Sequence, residues 1–291
     1  MQYGFVLPGG TATEQLEQAV IADEAGWDGV FVWEAAYGVD AWTLLAAMAQ
    51  RTQHVRLGTM LTPLAWRRPW KVASQAVTLD QLSGGRAILS VGLGAVDTEL
   101  GRTGEETDRR TRAAMVDEGI DLMRGLWEGR LAYAGKHYEV DLEARDDLVR
   151  VAQPVQPRIP IWVVGAWPRQ QSMRRVLRCD GLLPVVMRDG DFVETTPDDI
   201  RAMRAWLTER GGMGDGFDVI MEGETPADDP VRAREIVAPW AEAGCTWWLD
   251  ARWTMPHESP ERMAAVRERL AAGPPAPPGP RSPIRSAQGR R

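Results

Sequence analysis

Histidine, cysteine and long apolar runs are all scarce in this chain of 291 residues. Its three histidines, His54, His137 and His257, stand far apart. A protein metal centre needs three or four converging ligands, so no metal is expected. The two cysteines, Cys179 and Cys245, lack CxxC spacing and read as buried, reduced thiols. There is no G-x-S-x-G elbow and no cysteine near a histidine in sequence, which leaves nucleophilic hydrolysis without a candidate. No stretch reaches the roughly 18 to 20 apolar residues of a membrane span. The opening MQYGFVLPGG has no charged n-region of a signal peptide, so a cytoplasmic protein is expected.

Positive charge is also short. The formal net charge is −7, which argues against nucleic-acid and anionic-membrane partners. The segment GPPAPPGPRSPIRSAQGRR, residues 273–291, carries four arginines and no acid. It has no apolar face to bury and is expected to be a disordered tail.

What the chain has in plenty is tryptophan, 13 against four tyrosines and four phenylalanines. Tryptophan supplies large flat surfaces with one donor each, which suits either core packing or a planar ligand. Strand-like runs fall at 3–7, 29–33, 55–59, 87–91, 161–165, 181–186, 217–222 and 246–250. Amphipathic helical stretches follow them at 13–25, 40–51, 70–82, 106–127, 168–178, 197–210, 230–243 and 260–271. This alternation predicts a parallel sheet, and eight units are the number that closes a (β/α)8 TIM barrel. The expected domain is 1–272, with an insertion after strand 4 at about 129–158, whose YAGKHYEVD reads as a hairpin or lid.

In such barrels chemistry gathers where the strands end. Here those ends are apolar and glycine-rich, unlike a hydrolase. A cofactor that carries the reactivity itself fits them better. Gly92-Leu93-Gly94 is a weak match to a dinucleotide fingerprint because the third glycine is absent. Its glycines read as a tight turn or as room for a flat ligand. The run IWVVGAWPR, residues 161–169, delivers a strand to a helix start, a place suited to an anion.

The runs ADEAGWDGVFVWE, VRLGTMLTP, Arg68-Pro69, QAVTLDQLSGGRAILSVGLG, PRIPIWVVGAWP, RCDGLLPV and AEAGCTWWLD, in that order along the chain, resemble the luciferase-like flavin-dependent oxidoreductases. The resemblance covers residues 1 to about 275. It implies a barrel, often a homodimer, holding reduced FMN or the deazaflavin coenzyme F420 at its mouth. The implied cofactor site comprises Trp33, Thr59, Met60, Leu61, Gly92, Gly94, Gly165, Ala166, Trp167 and Arg169, with the phosphate on the loop after Gly165. A cis peptide is implied near Met60–Leu61. Family members often carry histidine just past the second strand, where this chain has Glu34-Ala35. The sugar-phosphate dehydrogenases place an acid after the G-x-G, where this chain has Ala95. Glu34 is therefore the expected catalytic acid or base. The function expected is monooxygenation of a small organic substrate with reduced FMN and O2, a separate flavin reductase being a candidate partner. The alternatives are F420-dependent hydride transfer and a flavin-binding barrel without turnover.

Overall fold

Runs of β-branched and aromatic residues become strands here, and the amphipathic stretches between them become helices. The computed structural model describes residues 1–142, 152–253 and 259–275. The first half runs β1 (Gln2–Val6), α1 (Ala12–Ala25), β2 (Gly29–Val32), α2 (Ala41–Arg51), β3 (Arg56–Thr59), β4 (Thr62–Pro63), α3 (Pro69–Ser83), β5 (Ala87–Gly92) and α4 (Arg109–Trp127). A hairpin of β6 (Ala132–Ala134) and β7 (Glu139–Asp141) follows, realising the reading of YAGKHYEVD. Then come β8 (Ile161–Trp167), α5 (Gln170–Val176), β9 (Gly181–Arg188), β10 (Asp191–Val193) and α6 (Pro197–Thr208). The chain finishes with β11 (Asp218–Gly223), α7 (Pro230–Ala243), β12 (Trp247–Ala251) and α8 (Pro260–Ala271).

β1 pairs in parallel with both β2 and β12. Pairing continues in parallel through β3, β5, β8, β9 and β11 to β12, so eight strands close on themselves. This is the expected (β/α)8 barrel. Short β4 and β10 extend its edge beside β5 and β9. No helix among the described residues is long and apolar enough to cross a membrane.

Helix ends follow local chemistry. Thr11 and Glu14 form a capping box on α1, and Asp40, Asp229 and Ser259 cap α2, α7 and α8. Gly26, Gly84 and Gly244 end α1, α3 and α7 in the left-handed conformation. Pro168 departs from the expectation that it opens a helix. Its bond to Trp167 is cis, β8 runs on to Trp167, and α5 begins only at Gln170.

Closure sorts the side chains into two cores. Phe31, Met60, Ile88, Trp162, Leu183, Ile220, Trp247 and Leu249 fill the barrel lumen, while alternate strand residues pack against the helices. Trp162 is the keystone. Its ring lies 5.3 Å from both Phe31 and Trp247, and its Nε1 donates to Asp218 Oδ2 at 3.1 Å. The missing Cβ of Gly181 makes room for it, since an added carbon would fall 2.3 Å from the indole. Much of the tryptophan excess is thus spent on packing rather than on a ligand.

The folded body runs past the expected boundary at 272. Gly273 and Pro275 are buried, and Arg269 donates to the Gly273 carbonyl at 2.6 Å. The rest of the expected tail, residues 276–291, lies outside the described residues, as do 143–151 of the insertion and His257.

Trp162→Ala should cost about 3–5 kcal/mol, the range for a large aromatic removed from a packed core. Urea denaturation followed by circular dichroism reads this directly. A loss under about 1 kcal/mol would mean the lumen collapses around the gap, contrary to a rigid barrel.

Candidate active site

Strand alternation decides which predicted residues reach the mouth of the lumen. In β2, Phe31 points inward, while Val30 and Val32 belong to the helix-side core. Glu34 lies just past the end of β2, beside α2 and β4, and its side chain is only 5% exposed. Trp42 Nε1 of α2 donates to its Oε1 at 2.7 Å, as does Thr62 Oγ1 at 2.5 Å. Arg67 NH1 donates to Oε2 at 2.7 Å, and its NH2 reaches Gln75 Oε1 of α3 at 2.9 Å. Burial pushes the Glu34 carboxyl up, against the opposing pull of Arg67, Thr62 and Trp42. Glu34 is the residue expected to act in the mouth as an acid or base. Its oxygens are engaged by three side chains, and it braces β2 against β4 and α2.

Thr59, expected at the cofactor, belongs to the same brace. Its Oγ1 lies 2.9 Å from Thr62 Oγ1 and donates to Ser90 O at 3.3 Å. Met60 and Leu61 do lie on the lumen side, joined by a cis peptide. Trp33 lines a cleft with Pro8, Gly9, Ala35 and Tyr37 where β1 and β2 end.

The glycines serve protein packing. A Cβ on Gly92 would fall 3.0 Å from Leu61, and one on Gly94 would fall 2.4 Å from Trp66. Gly94 also has a φ of +78°. Arg112 lies over the Trp66 ring and donates to the Leu93 and Gly94 carbonyls at 3.0 and 2.7 Å. The place a Cβ would take at either glycine is therefore filled by the chain's own side chains.

After β8, where the anion cradle is expected, several groups already have partners within the chain. A Cβ on Gly165 would meet Leu182 at 2.4 Å, on the helix side of the strand. The Ala166 N–H donates to Ser172 Oγ at 2.9 Å, and the Arg169 N–H donates to Ala166 O at 2.8 Å. Trp167 packs against the outer core. The backbone donors counted from sequence are thus partly spent. Arg169 itself stands exposed at the rim, close enough to Arg109 for the two charges to interact. Burial, then Arg169 and Arg112, hold the Arg109 guanidinium below its ordinary value. No carboxylate pairs with either Arg109 or Arg169 among the described residues. Arg109 reaches across the end of β9, its NH2 3.8 Å from Met187 Sδ.

One residue that the sequence places at a strand end, without a role, is Glu222. Ile220 of β11 faces the lumen and Val219 the helices, so Glu222 faces the lumen at the strand's outlet. Gly223 confirms the parity, because its missing Cβ is filled by Trp248 on the helix side. Glu222 is half-buried, and Trp253 Nε1 donates to its Oε2 at 2.7 Å. Burial pushes its carboxyl up, opposed only by that bond. No group of metal-binding side chains occurs among the described residues.

The model of the luciferase-like monooxygenase family matches residues 2–276, and the chain belongs to that family. It is similar to the F420-dependent glucose-6-phosphate dehydrogenase of Kineococcus radiotolerans, 31% identical over 78% of this chain and 68% of that protein. The enzyme of the same name from Amycolatopsis mediterranei is 31% identical over 64% of this chain and 61% of its own length. The chain spans only part of such curated relatives, down to 50% in one of them. Among solved structures, an F420-dependent secondary alcohol dehydrogenase in complex with an F420-acetone adduct shares the fold. It has a TM-score of 0.72 and 18% identity over 93% of this chain and 98% of that one.

Glu34→Ala should destabilise the fold by about 3 kcal/mol, because it leaves Arg67 without its buried partner. Equilibrium denaturation checks this. A change below about 0.5 kcal/mol would place Glu34 among ordinary surface residues.

Proposed function

We propose that this protein is an F420-dependent oxidoreductase that transfers a hydride equivalent to or from a small organic substrate. The observation that carries the reading is the exposed Arg109–Arg169 pair, lacking carboxylate partners among the described residues, beside an apolar mouth. Two uncompensated guanidiniums fit the anionic portion of a phosphate-bearing cofactor. Met60, Leu61, Val164 and Ala166 offer apolar surface to a ring system and exclude water from it. The donor set therefore suits a flat redox group with an anionic tail. When bound, a deazaflavin supplies or accepts two electrons as hydride. The chain's own part is to anchor the anion, present an apolar wall and manage the accompanying proton.

FMN-dependent monooxygenation, favoured by the sequence, has less support. The curated relatives reported above carry F420 in their names. A monooxygenase from Streptomyces bottropensis is a structural neighbour at 19% identity, where the fold alone is shared. Glucose 6-phosphate is not carried over from those relatives, since Ala35 and Ala95 stand where the dehydrogenase pattern has histidine and an acid.

Fluorescence titration of the protein with F420 and with FMN, each oxidised and reduced, tests the reading. F420 should saturate with a Kd in the micromolar range or tighter, at least about tenfold below that for FMN, a difference of about 1.4 kcal/mol. Arg169→Ala should weaken F420 binding more at low salt than at high salt, since exposed charges are screened. Tight binding of FMN alone would overturn the assignment.

A further inference from the structure

β11 sets a carboxylate at the barrel outlet with no cation paired to it among the described residues. The residues facing the lumen beside Glu222 are apolar: Leu249 and Ala251 on β12, and Leu183 and, by alternation, Val185 and Met187 on β9. Asp218, on the same face of β11 but deeper, is bonded to Trp162 and Thr246. Glu224 and Arg252 pair with each other at 3.2 Å. Arg109 lies beyond Met187. Trp253 Nε1, the hydrogen-bond donor to Glu222, reaches Oε2 and leaves Oε1 without a hydrogen-bond partner among the described residues. Burial makes this carboxyl hold its proton more tightly than an ordinary glutamate, and it is still reachable from the mouth, as proton transfer requires.

The rim around it also carries large apolar side chains. Tyr37 after β2 is 98% exposed, Phe192 after β9 68%, and Val96 after β5 and Trp253 after β12 45% each. Four loops thus present large hydrophobic side chains at the same end of the barrel. Scattered surface hydrophobics are ordinary, but several carried on the connections that follow the barrel strands suit an apolar ligand.

We propose that Glu222 meets the substrate oxygen and transfers the proton that accompanies hydride transfer, and that the substrate is an uncharged, largely apolar ketone or the matching secondary alcohol. This rests on the F420 reading above. In the reducing direction the carbonyl carbon receives hydride, two electrons and one hydrogen, from the reduced deazaflavin. The C=O π bond breaks, and its oxygen takes the Glu222 carboxyl proton. The carboxylate left behind regains a proton from solvent. In the oxidising direction Glu222 takes the hydroxyl proton as hydride leaves carbon for the oxidised deazaflavin.

The test pairs infrared spectroscopy with turnover, using the parent protein and Glu222→Gln, which keeps shape and an acceptor for Trp253. The parent-minus-variant spectrum, followed against pH, should show a protonated carboxyl band that persists above the pH at which an ordinary glutamate ionises, and adding cyclohexanone to the F420 complex should shift it. Cyclohexanone reduction should fall by about 10²–10⁴-fold in Glu222→Gln, with F420 affinity within about twofold. The variant should also lose one limb of the pH profile. No protonated band, a band that cyclohexanone leaves unmoved, or equal turnover in the variant overturns the inference while F420 binding stands. Preference for glucose 6-phosphate over cyclohexanone overturns the substrate class. A parent protein that does not bind F420 overturns the functional reading, and with it the hydride partner the inference needs.

Discussion

Closure of eight strands into one ring forces every strand residue to choose between the lumen and the helix layer. The side-chain period of two then fixes that choice for all its neighbours along the strand. The fate of two glutamates shows how much depends on it. Glu34 and Glu222 both lie where strands end, and burial pushes both carboxyls up. Glu34 falls on the helix side and is caught by Trp42, Thr62 and Arg67. Glu222 falls on the lumen side and receives Trp253 at its edge. The same functional group becomes a brace in one place and an available acid in the other. Even the room for the lumen aromatics follows, because glycines stand where Trp162 and Trp247 press against neighbouring strands.

The barrel was legible in the sequence because its signals are local. Alternating strand and helix patterns, capping residues and glycine stops each agree with the same answer. The strongest motif, TLDQLSGGRAILSVGLG, was legible for a reason remote from chemistry. Asp80 in it accepts from the Val155 and Gln156 amides at 2.7 and 3.0 Å, tying the returning insertion to α3. Arg86 donates to the carbonyls of Ser83, Val55, Ala49 and Thr52 and to Thr52 Oγ1, clamping the chain where β5 begins. These residues sit at the N-terminal end of the barrel, the end that carries stability rather than catalysis.

The site was less legible because strands buried on both faces show no alternation. GVFV of β2 and VIM within β11 are apolar throughout, so neither reveals which way the following glutamate turns. Parity there is set by neighbours far away in sequence: Trp162 and Trp247 against Phe31, and Trp248 against Gly223. The turn after β8 failed for a similar reason. IWVVGAWPR reads as a strand meeting a helix start, but Ser172 returns to take the Ala166 amide, and the helix opens after Pro168. Of the residues expected there, the exposed Arg169 keeps a charge to offer.

Carboxylate labelling with a water-soluble carbodiimide, read by peptide mass spectrometry with and without F420, tests the central claim most directly. The claim is that strand parity gives Glu222 to the mouth and withholds Glu34. Glu222 should be labelled in the free protein and protected by the coenzyme, while Glu34 stays unlabelled in both. Ready labelling of Glu34 with Glu222 inert would contradict the account.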